Sequence, residues 1–168
     1  MATKKTTKKS TTKKSTTKKS TTKKAAPKAG GEITVNGNKI MKTLQKEFSK
    51  KFGYLTLCFI IDADRLKCVN VKGINTDKRL SDVRKKVSNE EISLHGRTKV
   101  GNIEQYFWDK LGIACQIGIC NYAGHPHYFP IGSFNSMTLT AANDWAKSVG
   151  CAKVTTNHIA QISRGSIF

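Results

Sequence analysis

The first 29 residues of this 168-residue chain contain no acidic side chain and no aromatic one. Nowhere in the chain does an apolar run approach the roughly 18 residues that a membrane-spanning helix needs. The N-terminal lysines are also not followed by the apolar segment that a secretory signal requires. We therefore expect a soluble, intracellular protein with no membrane span.

The five cysteines are odd in number and include no closely spaced CxxC pair. Several lie in apolar runs, a pattern typical of buried free thiols in a reducing compartment. The one compact set of metal-ligand residue types is Cys115, Cys120, His125 and His127. Alternation along a strand would turn Cys115 and Cys120 to opposite faces, so the pattern favours buried thiols over a zinc site. We predict no metal and no cofactor.

Motifs that carry catalysis are missing as well. The sequence has no nucleophile spaced with a base, no catalytic pair of carboxylates and no phosphate-binding glycine loop. Asp62 and Asp64 are two residues apart at the end of a predicted strand, which favours a tight turn over a cation site. We predict that the protein is not an enzyme.

Lysine dominates the N-terminus. The unit Lys-Lys-Ser-Thr-Thr repeats with little variation, and residues 30–168 carry only +8 of the total formal charge of +19. A five-residue period turns successive lysine pairs by about 140° around a helix, so no apolar face forms. We expect residues 1–31 to be a disordered tail and linker. The tail lysines are Lys4, Lys5, Lys8, Lys9, Lys13, Lys14, Lys18, Lys19, Lys23, Lys24 and Lys28.

The charge pattern of the tail suits a charged polymer, because each phosphate contact releases counterions. Ammonium groups are point charges, so such contacts should add affinity without reading base sequence. The repeated Lys-Lys and the closing Ala-Ala-Pro-Lys-Ala resemble the lysine-rich tails of linker histones and of bacterial histone H1-like proteins. That resemblance implies binding to DNA or RNA and a nucleoid-associated or nuclear location. A tail that only adds solubility, or one that binds an anionic membrane surface, is the alternative.

Residues 32–168 are predicted to form a single α+β domain, with helices packed on a mainly antiparallel sheet. Alternation of Ile33 and Val35 indicates a first strand. Apolar positions three or four apart predict helices at 40–52, 79–87 and 100–111. Apolar runs predict strands at 55–61 and 113–120, in hairpins that extend to residues 71 and 131.

Two of these units are alike in sequence. Leu44–Gly53 aligns without gaps over Ile103–Gly112, each an amphipathic helix that ends in glycine before a strand, and a fainter third copy runs from Ala141 to Gly150. The similarity indicates an internal helix-strand repeat, and a chance likeness between amphipathic helices is the alternative. The stretch from Lys99-Val100-Gly101-Asn102-Ile103-Glu104 to Gly112-Ile113 is also similar to a group of small, uncharacterised bacterial proteins. This second resemblance implies no activity.

Two places in the domain are candidates for contact with nucleic acid. Arg97 and Lys99 precede a predicted helix N-terminus, where free amides and two cations could hold a phosphate. The alternative is an ordinary loop in which Thr98 caps the helix. The second candidate is the basic face of the first helix, for which a solvated face is the alternative: Lys42, Lys46, Lys50 and Lys51.

We thus predict a non-enzymatic protein that binds DNA or RNA without sequence specificity through the eleven tail lysines, Arg97 and Lys99. Aromatic side chains between residues 122 and 134 could stack on unpaired bases, or fill a small core. The alternative function is a protein-interaction or assembly module. In that case the domain binds a protein partner or itself, and the tail serves solubility or localisation.

Overall fold

The computed structural model describes residues 32–60, 75–121, 129–130 and 132–163. The predicted tail, the linker to residue 31 and the predicted strand 66–71 lie outside these ranges. The described elements confirm the α+β class. In chain order they are β1 (Ile33–Val35), α1 (Met41–Lys51), β2 (Leu55–Ile60), α2 (Leu80–Val83), β3 (Ile92–Leu94), α3 (Val100–Tyr106) with a π-helical last turn (Phe107–Leu111), β4 (Ala114–Ile119), a 3-10 turn (Gly132–Ser136), α4 (Leu139–Ser148) and α5 (Thr156–Ser163).

The described strands form two antiparallel ribbons, β1 with β3 and β2 with β4. Strand β3 was not predicted, because three residues are too few to show a period of two within a polar stretch. None of the described helices is long and apolar enough to cross a membrane.

The internal repeat is present in the structure. A shift of 59 residues carries β1 onto β3, α1 onto the start of α3, β2 onto β4 and the start of α2 onto the start of α4. Strand pairing follows the same relation, since Thr34 pairs with its own counterpart Ser93 at the centre of the first ribbon. Each ribbon is therefore symmetric about its centre, as a two-fold relation between the halves requires, and a chance likeness of two helices does not account for this.

The predicted third copy is wrong. Helix α4 begins at Leu139, the counterpart of Leu80, so it corresponds to α2 rather than to α1. The apolar residues that suggested the copy are not its buried face: Ala141 and Val149 are exposed, and α4 buries Ala142 and Ala146 instead.

The long helix of each half, α1 in the first and α3 with its π-helical last turn in the second, begins at the same pair of backbone hydrogen bonds, called the interlock below. In the first half, the Met41 amide donates to the Lys78 carbonyl at 3.1 Å, and the Leu80 amide donates to the Lys39 carbonyl at 3.0 Å. In the second half the pairs are Val100 to Met137 at 3.0 Å and Leu139 to Thr98 at 2.8 Å. The interlock joins the turn before each long helix to the turn before the helix that follows in the same half.

The long helices bury equivalent positions in one core. Leu44 and Phe48 of α1 are fully buried, as are their counterparts Ile103 and Phe107. Three- and four-residue spacing places such side chains on one face, which is why these helices form where predicted. Each side chain of this size contributes about 1.5 to 3 kcal/mol when buried.

Helix α2 is shorter than predicted. The sequence indicated a helix over 79–87 with Val87 on its buried side, but the helix ends at Val83 and Val87 is 82% exposed. The amides of Lys85 and Lys86 donate instead to the Leu111 carbonyl, at 2.9 and 3.1 Å. These two amides therefore bind the C-terminal end of the helix over Val100–Leu111 and do not continue α2.

One polar side chain from each long helix hydrogen-bonds to the backbone of the ribbon that β2 and β4 form. Leu57 and Ile117 are paired residues of β2 and β4. The Gln45 amide donates to the Leu57 carbonyl at 2.7 Å, and the Ile117 amide donates to the Glu104 carboxylate at 3.0 Å. Gln45 and Glu104 are counterparts under the 59-residue shift, so both halves cover this ribbon from the same helical position.

The glycines at helix ends offer a test of these assignments. Gly112 has a φ of 62°, and an added Cβ would lie 2.9 Å from the Lys85 Cβ. Gly150 has a φ of 80° with nothing within 4 Å of an added Cβ, whereas Gly53 is not at positive φ and would meet only the Lys153 side chain.

We expect alanine to destabilise the protein most at Gly112, less at Gly150 and least at Gly53. The left-handed backbone alone costs a non-glycine residue about 1 to 2 kcal/mol, and at Gly112 the Lys85 segment must also move. Denaturant unfolding of the three single variants measures the order. Equal losses at Gly112 and Gly53 would show that backbone conformation does not distinguish the two helix ends.

Candidate nucleic-acid interface

Only Arg97 and Lys99 among the predicted binding residues lie in the part of the chain that the structure describes. Both side chains are exposed. The eleven tail lysines precede residue 32 and lie outside it.

The turn that carries Arg97 and Lys99 is closed by its own hydrogen bonds. The Thr98 amide donates to the His95 carbonyl at 2.9 Å, and the Thr98 hydroxyl accepts from the His95 amide at 3.3 Å. Lys99 rather than Thr98 is the N-cap of α3, so the predicted cap is wrong by one residue. The first helical amide, that of Val100, already donates to the Met137 carbonyl. An anion at this turn would therefore meet the two cationic side chains rather than that amide.

The four lysines of the first helix do not act as one surface. Lys51 donates to the Leu94 carbonyl at 3.1 Å and lies over the Phe52 ring, 5.5 Å from its centroid. Lys46 and Lys50 are exposed, and Lys42 forms a 3.1 Å ion pair with Asp77. The surface formed by Lys42, Lys46 and Lys50, spaced by four residues, is called the α1 stripe below.

Two members of the predicted aromatic cluster lie in the described residues, and they differ in burial: Phe129 is half-buried and Phe134 is buried. Phe134 is 2% exposed, and its ring centroid lies 5.7 Å from that of Trp145. Tyr122 and Tyr128 lie outside the described residues. Phe134 is therefore a packing residue and not a platform for a base.

The cysteines of β4 and its extension are far apart. Cys115 pairs with Phe59 inside the ribbon, and Cys120 follows the strand and bridges to Ala152. Five residues of strand span roughly 17 Å, so the two sulfur atoms cannot share one ion. His125 and His127 lie outside the described residues. Within the described ranges, no group of three or more histidine, cysteine or acidic side chains is placed to hold a metal.

One pairing escaped the sequence analysis. The Cys120 sulfur lies 3.4 Å from Nδ1 of His158, which also accepts from the Thr155 amide at 3.1 Å. Burial, with a smaller effect of Cys151, raises the pKa of Cys120 to about 12. A nucleophilic cysteine is activated by a lowered thiol pKa. Cys120 and His158 have the residue types of a catalytic dyad, but the pKa of Cys120 is shifted in the opposite direction. The two residues are too far apart in sequence for any local motif to join them.

No protein-family model, curated protein or solved structure matches the chain.

Thiol reactivity follows from these environments. Cys58, Cys115 and Cys120 are buried, and burial raises the pKa of Cys58 to about 12, whereas Cys151 is half-buried. In a Cys68→Ser background at pH 7.5, we expect a maleimide to label Cys151 first and the other three only after unfolding. Peptide mass spectrometry of timed samples reads the order. Rapid labelling of Cys120 in the native protein would contradict it.

Proposed function

We propose that the protein binds nucleic acid without sequence specificity, through electrostatic contacts between its lysines and the phosphate backbone. The observation that carries this proposal is the run of eleven lysines without one acidic residue in residues 1–29. A nucleoid-associated or nuclear location belongs to the same proposal.

The size of the charge supports a polymer partner. Duplex DNA presents one charge per roughly 1.7 Å of axis, and each neutralised phosphate changes the salt slope of log Kobs by about 0.9. If every tail lysine contacts duplex DNA, that slope is about −10. A partner with a few charges would leave most of the eleven lysines unused.

The described domain carries no element typical of base reading. Arg97 lies in a turn rather than on a helix that could enter the major groove, and of the described aromatic side chains between residues 122 and 134, Phe134 is buried and Phe129 is half-buried. This arrangement supports affinity for backbone phosphates over recognition of a particular sequence.

Replacing the eleven tail lysines by glutamine tests the proposal. We expect the full-length wild type to lose about 10³-fold or more in affinity for duplex DNA between 50 and 200 mM salt. The neutralised variant should bind weakly at 50 mM salt and keep only the shallow slope that the lysines of the domain supply, no steeper than about −3. Fluorescence anisotropy with two duplexes of unrelated sequence measures both quantities, and the two duplexes should give the same values.

A shuffled tail of identical composition is the matched control and should bind as the wild type does, because charge rather than order supplies the affinity. An unchanged slope in the neutralised variant would overturn the proposal. A stoichiometric protein partner recovered with that variant would support the assembly module instead.

A further inference from the structure

The two long helices share a buried face but differ on the outside. Positions 42, 46 and 50 of α1 correspond to Gly101, Gln105 and Asp109 under the 59-residue shift. On the second helix, the Gln105 amide donates to the Asp109 carboxylate at 2.5 Å. The fold therefore forms with a neutral to acidic outer face in one half and a lysine stripe in the other, so packing does not require the lysines.

The spacing within the α1 stripe brings like charges together. Residues four apart on a helix lie about 6 Å apart along its axis, so the stripe extends over about 12 Å. Like charges at this spacing destabilise a helix. Glu47, the acidic residue of α1, forms its ion pair with Lys39 outside the stripe. The stripe is thus not neutralised by an acidic residue of α1. Its one ion pair among the described residues is that of Lys42 with Asp77, which precedes α2.

The other lysines at the helix ends have a structural explanation. Lys86 donates to the carbonyls of Trp108 and Asp109 at 3.3 and 3.2 Å. Cations are stabilising there because the last carbonyls of a helix carry partial negative charge. Within the α1 stripe, Lys42 lies in the first turn of the helix, where this effect opposes a positive charge, and Lys50 lies in the last turn, where it is favourable.

We propose that Lys42, Lys46 and Lys50 form the domain's own contact with the phosphate backbone of duplex nucleic acid, next to the tail. The inference rests on the proposed function and names the surface of the domain that takes part. Along roughly 12 Å of its axis, one strand of a duplex carries about three to four phosphate charges, which matches the three lysines of the stripe. The exposed side chain between Lys42 and Lys46 is Thr43 rather than an aromatic ring, which favours a polyanion over a lipid surface.

The stripe is also close to the tail along the chain. Lys42 is ten residues after Glu32, where the described domain begins, and ten residues span at most about 35 Å. A duplex held by the tail is therefore present at high effective concentration at the stripe. Contacts with the three stripe lysines are then intramolecular, so they increase the affinity of the protein for the duplex.

The test uses full-length protein with Lys42→Gln, Lys46→Gln and Lys50→Gln. The matched control replaces three lysines elsewhere, Lys85→Gln, Lys110→Gln and Lys147→Gln. It makes the same change in net charge and, like the stripe, includes one lysine of a surface ion pair, Lys110 with Glu90. We expect the salt slope for duplex DNA to become shallower by about 2 to 3 units in the stripe variant, and to stay close to wild type in the control.

Circular dichroism and the thermal midpoint check folding. If the stripe variant with all three substitutions does not fold, the double variant Lys46→Gln, Lys50→Gln replaces it. This double variant changes only exposed side chains and should make the salt slope shallower by about 2 units.

Equal slopes in the stripe and control variants would overturn the inference. Stripe-dependent binding to phosphatidylserine vesicles but not to duplex DNA would overturn it as well. Failure of the proposed function is seen separately, as unchanged binding of the variant with the neutralised tail. The two results can be told apart because each variant keeps the lysines that the other one replaces.

Discussion

The burial of the β2 and β4 ribbon is the constraint on which the rest of the described structure depends. Paired strands in an interior still have backbone groups that point away from each other, and each needs a partner. Gln45 and Glu104 supply these partners at Leu57 and Ile117, one from each long helix. The positions of both helices against the ribbon are therefore fixed by hydrogen bonds as well as by the apolar side chains around them.

The repeat explains why the turns before α1 and α2 have the same backbone hydrogen bonds as the turns before α3 and α4. Each half uses the same amide-to-carbonyl exchange to start its long helix, although Lys78 in one half corresponds to Met137 in the other. Because the exchange involves backbone atoms, side chains at those positions vary freely. The sequence similarity between the halves is consequently concentrated in the buried helix faces and weak in the turns.

The sequence predicted those features that depend on short-range periodicity. Helix α1 and strand β2 were predicted because Leu44 and Phe48 follow the helical spacing and residues 55–61 are almost all apolar. The end of α2 was missed because it depends on the Leu111 carbonyl, which only the folded chain brings close. At the candidate interface, the basic face was visible in sequence. The separation of Lys51 from it was not, since that depends on a contact with Leu94.

The two-fold relation between the halves does not require their outer surfaces to be alike. In a symmetric dimer of one unit, a substitution at an outer position appears twice, on both faces at once. In a single chain that carries both units, position 46 can become lysine while its counterpart Gln105 stays neutral. The two halves can therefore carry different charges on their outer surfaces while they share one core.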